Sequence, residues 1–279
     1  MARFSKFWCA SVLKSLNGSS GQSVLSSSFP IMPWITHALD PSLADLVSRV
    51  GIVKNLKAGE VIFSHNQPID HLVIVNRGIT ARGMGNVDAQ AIGLATPGHI
   101  AAGNLNFFSS RHAIGRYYAI TDCELCFCSH SLLRKITRTQ PDLIYTLSAQ
   151  FECATLSDRL AFACLSLLSP KDRLKAFTVT WAANYGSLVM SGGQLRIRMP
   201  APMSIQVRSQ IVNTTPNWVD RSLRSWRENG RWQRNGDWVT FDPNLVQDTY
   251  HWMRSLEESN NNFRYPENFV QLIHPLKQG

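Results

Sequence analysis

Between Gln140 and Leu168 the chain steps by three and four residues through Ile144, Leu147, Phe151, Ala154, Asp158, Ala161, Leu165 and Leu168. That spacing predicts one long helix with an a/d seam, the pattern of a helix that packs along a partner helix. The seam runs for about four heptads, long for a helix that only covers its own domain. The spacing therefore predicts a dimerisation helix over residues 140–168. A helix laid against its own domain is the plainer alternative. Asp158 is the single charged member; such a residue fixes register or marks a place where something else binds.

The two sides of this seam differ in character. Residues 52–130 hold short β-branched and apolar runs, Val61-Ile62-Phe63 and Leu72-Val73-Ile74-Val75 among them. Turn signals at Gly59, Asn66-Gln67-Pro68, Asn76-Arg77-Gly78, Gly85-Asn86 and Pro97-Gly98 punctuate them. Many short strands at this spacing predict a sandwich, roll or barrel. After the seam, Ser169-Pro170 with Asp172 reads as a capped helix start running to about Ala183. Tyr185 to Gly193 reads as a glycine-rich loop and Gln194 to Met199 as a strand. The class is therefore α+β.

The most specific local signals come next. Met203 to Val212 reads as a short helix, with Ser204 placed to cap it or to touch a phosphate. Asn213-Thr214-Thr215 breaks it, and Asn tolerates the left-handed backbone of a tight turn. Thr215-Pro216 starts a second helix that runs to about Asn229. Its apolar positions Val219, Leu223 and Trp226 lie on one side, while Asn217, Arg221 and Arg224 share another. From a helix in the major groove, Asn can pair with adenine and Arg with guanine. Asn235-Gly236, between Arg231-Trp232-Gln233-Arg234 and Asp237-Trp238-Val239-Thr240-Phe241, is a hairpin signal. Helix, turn, helix and hairpin in this order make a winged helix-turn-helix; a purely structural helical hairpin is the alternative.

Charge supports the first of these. Of a formal net charge of +9, much lies between Gln194 and Gly236, where eight arginines face two acids, Asp220 and Glu228. Arginine suits bidentate contact with phosphate or guanine, so this is the footprint of a nucleic-acid surface. A merely solvated basic face would show the same composition. The six cysteines, Cys9, Cys123, Cys126, Cys128, Cys153 and Cys164, do not form the dense framework of a small secreted domain, so a reducing cytoplasm is expected. No apolar run approaches the roughly 18–20 residues that span a bilayer. Along a strand Cys126 and Cys128 face one way and Cys123 the other, which argues against a shared metal site. His65, His71, His99, His112 and His130 lack ligand spacing and read as surface or turn residues.

Over about residues 52–243 the sequence resembles the cyclic-AMP receptor protein and fumarate-nitrate reduction regulator family of bacterial transcription regulators. The resemblance rests on Leu56-Lys57-Ala58-Gly59-Glu60-Val61-Ile62-Phe63 and Asp70-His71-Leu72-Val73-Ile74-Val75-Asn76-Arg77-Gly78. Gly103-Asn104-Leu105-Asn106-Phe107-Phe108 looks like the family's ligand-cradling segment, and Gln140-Pro141-Asp142-Leu143 like the approach to its dimer helix. Ser209-Gln210-Ile211-Val212 and Val219-Asp220-Arg221-Ser222-Leu223 match its helix-turn-helix. What the resemblance implies is an N-terminal β-roll resembling a cyclic-nucleotide-binding domain, a long dimerisation helix and a C-terminal winged helix-turn-helix. It also implies phosphate contacts by Ser204, Gln206 and Thr215 and base reading from Pro216, Asn217 and Arg221, with only Arg221 keeping the receptor's residue type.

The ligand site departs from the family. Asn104 stands where the family's ribose-binding acid stands, and Ile114-Gly115 where its phosphate-binding Arg-Ser pair stands. Arg111 and Arg116 flank that place; Asp158-Arg159 replaces the adenine-contacting Thr-Ser. A negative Asp158 near a phosphodiester is unfavourable unless paired. Gly103, Asn104, Arg111, Arg116 and Asp158 are thus the candidate ligand residues of a site expected not to answer to cyclic AMP. No cofactor or metal is expected, and no enzyme: no nucleophile–base pair, metal motif or phosphate-binding glycine loop occurs.

The expectation is a sequence-specific transcription regulator in the cytoplasm, with double-stranded DNA, a second copy of the chain and RNA polymerase as partners, and no membrane. The alternatives are a same-fold regulator that does bind a cyclic nucleotide or other small effector, and an interaction module that has lost DNA binding. The expected boundaries are a flexible extension 1–33, a sensor-like domain 34–139, the helix 140–168, the DNA-binding domain 169–243 and a C-terminal extension 244–279 with a helix over Val246–Glu258.

Overall fold

The computed structural model describes residues 31–84, 91–256 and 266–273. Most of the expected N-terminal extension, with Cys9, the Gly85-Asn86 turn and the Asn260-Asn261-Asn262 break, lies outside the described residues. The chain forms two compact units. One holds residues 36–84 and 94–155; the other holds 31–35, 91–93, 156–256 and 266–273.

The first unit opens with α1 (Pro41–Val50), capped by the Asp40 side chain. Along the chain eight strands follow: β1 (Ile52–Leu56), β2 (Val61–Phe63), β3 (His71–Arg77), β4 (Thr80–Met84), β5 (Ala91–Ala95), β6 (Ile100–Ala102), β7 (Gly115–Ala119) and β8 (Cys123–Ser129), with β5 beginning in the residues assigned to the other unit. They make two four-stranded sheets, ordered β1-β8-β3-β6 and β2-β7-β4-β5. Strand β8 shows why the sequence folds this way. Its odd residues Cys123, Leu125 and Phe127 enter one apolar cluster with Phe63, Val73, Val75 and Tyr117. Its even residues Cys126 and Cys128 enter another with Leu43, Val47, Leu133 and Leu147 of the helices. The strand period of two thus sends alternate residues to two cores. Helix α2 (His130–Thr139), capped by Ser129, leads to α3 (Asp142–Leu167).

The 26-residue α3 is the predicted long helix, but its seam is divided. Leu147, Ala154 and Ala161 are buried within the chain, whereas Ile144 (40% exposed) and Phe151 (38%) face outward. The buried stripe also includes Gln150, whose amide donates to the Ala38 carbonyl, and Ser157, whose hydroxyl donates to the Met32 carbonyl. The inner stripe lies on the chain's own structure, as the plainer alternative expects, and the outer stripe is exposed.

In the second unit, α4 (Pro170–Tyr185) starts at the Ser169 cap. Tyr185–Gly193 is not a loop: β9 (Ser187–Ser191) pairs with β10 (Gln194–Pro200) across Gly192-Gly193. Cross-strand hydrogen bonds override the weak strand signal of this short run. Helices α5 (Ile205–Ile211) and α6 (Pro216–Glu228) follow, then β11 (Trp232–Asn235) and β12 (Trp238–Phe241). The sheet order is β11-β12-β10-β9. Past the hairpin, a 3-10 turn (Pro243–Leu245) leads to α7 (Gln247–Ser255), shorter than the expected 246–258; residues 257–258 lie outside the described residues. Helix α7 and α8 (Phe269–Ile273) pack on α4, burying Tyr250, Phe269, Leu272 and Ile273. The Tyr250 hydroxyl donates to the Pro266 carbonyl at 2.7 Å. Among the described residues, no helix is long and apolar enough to cross a membrane.

Candidate nucleic-acid interface

Helices α5 and α6 pack against each other through a tight turn. The Ser204 hydroxyl accepts from the Val207 amide and caps α5. Asn213 takes the left-handed conformation expected of it, with φ of 50°. The Thr215 hydroxyl accepts from the Trp218 amide, and Pro216 occupies the first helical position of α6. Both capping hydroxyls keep their own proton, so each can still donate to a phosphate at a helix start. Val219, Leu223 and Trp226 anchor the inner face of α6. That anchoring leaves Asn217 and Arg221 exposed one turn apart, with Gln206 exposed on α5. Arg224 is exposed too, but its guanidinium bonds the Asp220 carboxylate at 2.9 Å.

The wing is a β11–β12 hairpin in which Asn235 pairs with Trp238. The two loop residues are therefore Gly236-Asp237, one position later than Asn235-Gly236. Gly236 has φ of +59°, the backbone that a glycine-first two-residue hairpin loop needs. Trp226 lies tilted against Trp232 at 5.6 Å and Trp232 stacks on Phe241 at 5.7 Å, which fixes the wing to α6. At the wing tip the Arg198 guanidinium lies 4.4 Å over the Trp238 ring.

The eight arginines do not form one uniform face. Arg196 donates to the Gly230 carbonyl at 3.0 Å. Arg208 is buried, 6% exposed, with its Nε lacking a hydrogen-bond partner. Burial and the nearby Arg234 charge hold Arg208 down at about 10, still a cation at neutral pH. Sequence reading missed its special position. The signal was present: Ile205, Arg208, Ile211 and Val212 follow the helical period of the core-facing side.

In the first unit, Gly103 is buried with φ of +97°, and a Cβ there would lie 2.1 Å from the His71 carbonyl oxygen. Its first duty is close backbone approach. Asn104 is half-buried beside it, and Arg111 is exposed. Arg116 is half-buried; its Nη2 donates to the Gly59 carbonyl, and its guanidinium lies 4.9 Å over the Tyr118 ring. The loop between them is held by Asn106, a buried amide that sequence reading did not single out, which donates to the Arg111 carbonyl at 2.8 Å. Ile114 is 62% exposed, and a Cβ on Gly115 would lie 1.8 Å from the Gly83 carbonyl oxygen. Asp158 is half-buried and belongs to the second unit.

Cys123, Cys126, Cys128, Cys153 and Cys164 are free thiols. Burial pushes Cys128 up to about 11 and Cys164 to about 12, so both stay protonated and inert at neutral pH. The described residues hold no cluster of three or more side chains able to bind a metal. Two histidines are not surface residues. His99 is buried, with Nδ1 near the Thr96 hydroxyl at 3.0 Å. His130 is buried edge-on to Phe107, and desolvation lowers it to about 4. Scattered spacing gives no warning of burial that tertiary packing creates.

Residues 53–140 match the family model described as cyclic nucleotide-binding domain. Among solved structures, the chain is similar to FixK2 from Bradyrhizobium japonicum, with a TM-score of 0.60 and 17% identity, over 76% of this chain and 99% of that one. It is similar to CLP, the c-di-GMP responsive global regulator of Xanthomonas campestris, with a TM-score of 0.56 and 18% identity, over 72% and 99%. It is also similar to a transcriptional regulator of the CRP/FNR family from Thermus thermophilus, with a TM-score of 0.52 and 16% identity, over 72% and 98%. No curated protein sequence matches the chain.

Proposed function

We propose that this chain, which has the fold of CRP/FNR transcription regulators, is a sequence-specific DNA-binding regulator that acts as a homodimer and does not respond to cyclic AMP. The observation that carries the reading is α6: capped at Thr215, anchored by Val219, Leu223 and Trp226, it offers exposed Asn217 and Arg221 beside a wing. Inserted in a major groove, Asn217 and Arg221 would read base edges, with Arg224 once it leaves Asp220. Ser204, Gln206 and Thr215 would hold phosphates and set the register. Residues 34–139 would serve as the sensor-like domain and 169–243 as the reader, and bound protein would act on transcription through RNA polymerase.

The partner helix of the homodimer would cover the open stripe of α3, where Ile144, Phe151 and Phe162 are exposed. Twofold symmetry would then put two reading helices about one DNA turn apart. Against a cyclic-AMP site stand Asn104 in the ribose place and Ile114-Gly115 in the phosphate place, none of which supplies a charge. The similarity to a c-di-GMP responsive regulator favours one second reading, a same-fold regulator that answers to another small effector.

Selection of DNA from a random library with purified protein tests the central reading. The expected outcome is a partly palindromic site. No enrichment, together with DNA affinity that is independent of salt, would leave an interaction module instead. Cyclic AMP and cyclic di-GMP at millimolar concentration should be compared by melting; a rise with either marks an effector. Phe151→Ala should weaken the dimer in sedimentation while the chain stays folded.

A further inference from the structure

Where α5, α6 and the wing meet there is a cleft of about 80 Å³, lined by Ile205, Arg208, Asp220, Arg227, Arg234 and Val239 with their neighbours. At about 10–15 Å³ for each water-sized place, it has room for about five to eight. Three arginines and one acid are among its lining residues. That carboxylate, Asp220, bonds Arg224, outside the cleft lining, at 2.9 Å and lies 4.0 Å from Arg227 within it. Arg208 is the innermost cation, and its buried Nε has no partner. A buried guanidinium without a counter-charge is strongly unfavourable, and a like charge from Arg234 makes it more so.

We propose that this cleft is an oxyanion site that takes a tetrahedral phosphate group between Arg208 and the Arg227 and Arg234 guanidiniums. Phosphate oxygens match the planar fork of arginine, and a tetrahedral anion of five heavy atoms suits the space. The same chemistry comes from two sources, a phosphodiester of bound DNA or a free phosphate. In either case the anion ties the first helix of the reading unit, its reading helix and the wing into one body.

The test uses the full chain as wild type, Arg208→Met and Arg234→Gln. Wild type is melted in sodium phosphate and in sodium chloride of equal ionic strength. The expected result is a melting temperature about 2–4 °C higher in phosphate at several times the dissociation constant, a gain both variants lose. Affinity for non-specific duplex DNA is then measured against salt. If DNA is the source, both variants flatten the log–log slope by about 1 and free phosphate competes with DNA. If a free anion is the source, the slope stays and only the melting gain is lost. Wild type that melts alike in phosphate and chloride, with a slope that both variants leave unchanged, overturns the proposal. So does a slope change in Arg234→Gln alone without a phosphate melting gain, because the contact then lies on the wing surface. Should Arg208→Met fail to fold, the wild-type and Arg234→Gln melts decide. Those melts contain no DNA, so their outcome stands whichever way the DNA-binding reading falls.

Discussion

The proposed reading unit around α6 and the proposed sensor segment from Gly103 to Arg116 contrast sharply. In the reading unit, backbone and side chains are arranged to leave Asn217 and Arg221 outward and uncommitted to caps or core. In the sensor segment the arrangement serves the chain itself. Gly103 and Gly115 permit backbone contact, Asn106 fastens the loop, and Arg116 is turned onto Gly59 and Tyr118. One region leaves Asn217 and Arg221 exposed; the other turns Asn106 and Arg116 to its own fold. The lesson is that an architecture does not by itself fix what its polar groups do.

That contrast can be broken by mutation. The largest effect is expected at Gly115→Val, which forces a side chain onto the Gly83 carbonyl and should cost about 3–5 kcal/mol of folding stability, read as a lower urea midpoint. A fully stable variant would show that the segment is loose enough to admit a ligand after all. Next comes Arg221→Ala, expected to lose about 1–3 kcal/mol of affinity for a selected DNA site with no change in the urea midpoint. Equal binding would move the reading face off Arg221. Thr215→Ala should cost about 1 kcal/mol of stability through the lost cap of α6. At neutral pH the smallest effect belongs to His130. Unfolded, it takes a proton near its ordinary 6.5; folded and buried, only near 4. Stability is therefore complete above about 6.5 and falls as the pH drops toward 4, a loss that His130→Gln should abolish in urea titrations at pH 7 and 5. An unchanged slope in that variant would place the acid sensitivity elsewhere.

What was legible in the sequence was local. The Ser169 and Thr215 caps, Pro170 and Pro216 at first helical positions, and the left-handed Asn213 depend on a few adjacent residues, and each stands where the pattern put it. What was not legible depends on residues far apart. Strand β9 exists because β10 pairs with it, and the hairpin turns at Gly236-Asp237 because cross-strand register outvotes the Asn-Gly signal. The seam of α3 was read as one stripe because periodicity reports that a face is apolar, not what covers it. His99 and His130 look like any other histidines until Thr96 and Phe107 close over them. For the candidate site, spacing placed Asn217, Arg221 and Arg224 together, but could not show that Asp220 holds Arg224.

The packing of α7 and α8 on α4 carries a consequence for how the protein is made. The second unit closes its core only with Phe269, Leu272 and Ile273, whereas the first is complete by residue 155. At about 5–20 residues per second, synthesis separates these two moments by roughly ten seconds. During that interval the nascent chain carries a finished first unit, together with the outward Ile144 and Phe151, while its second unit is still unformed. Any association through that outward stripe thus has a head start over one that needs the second unit.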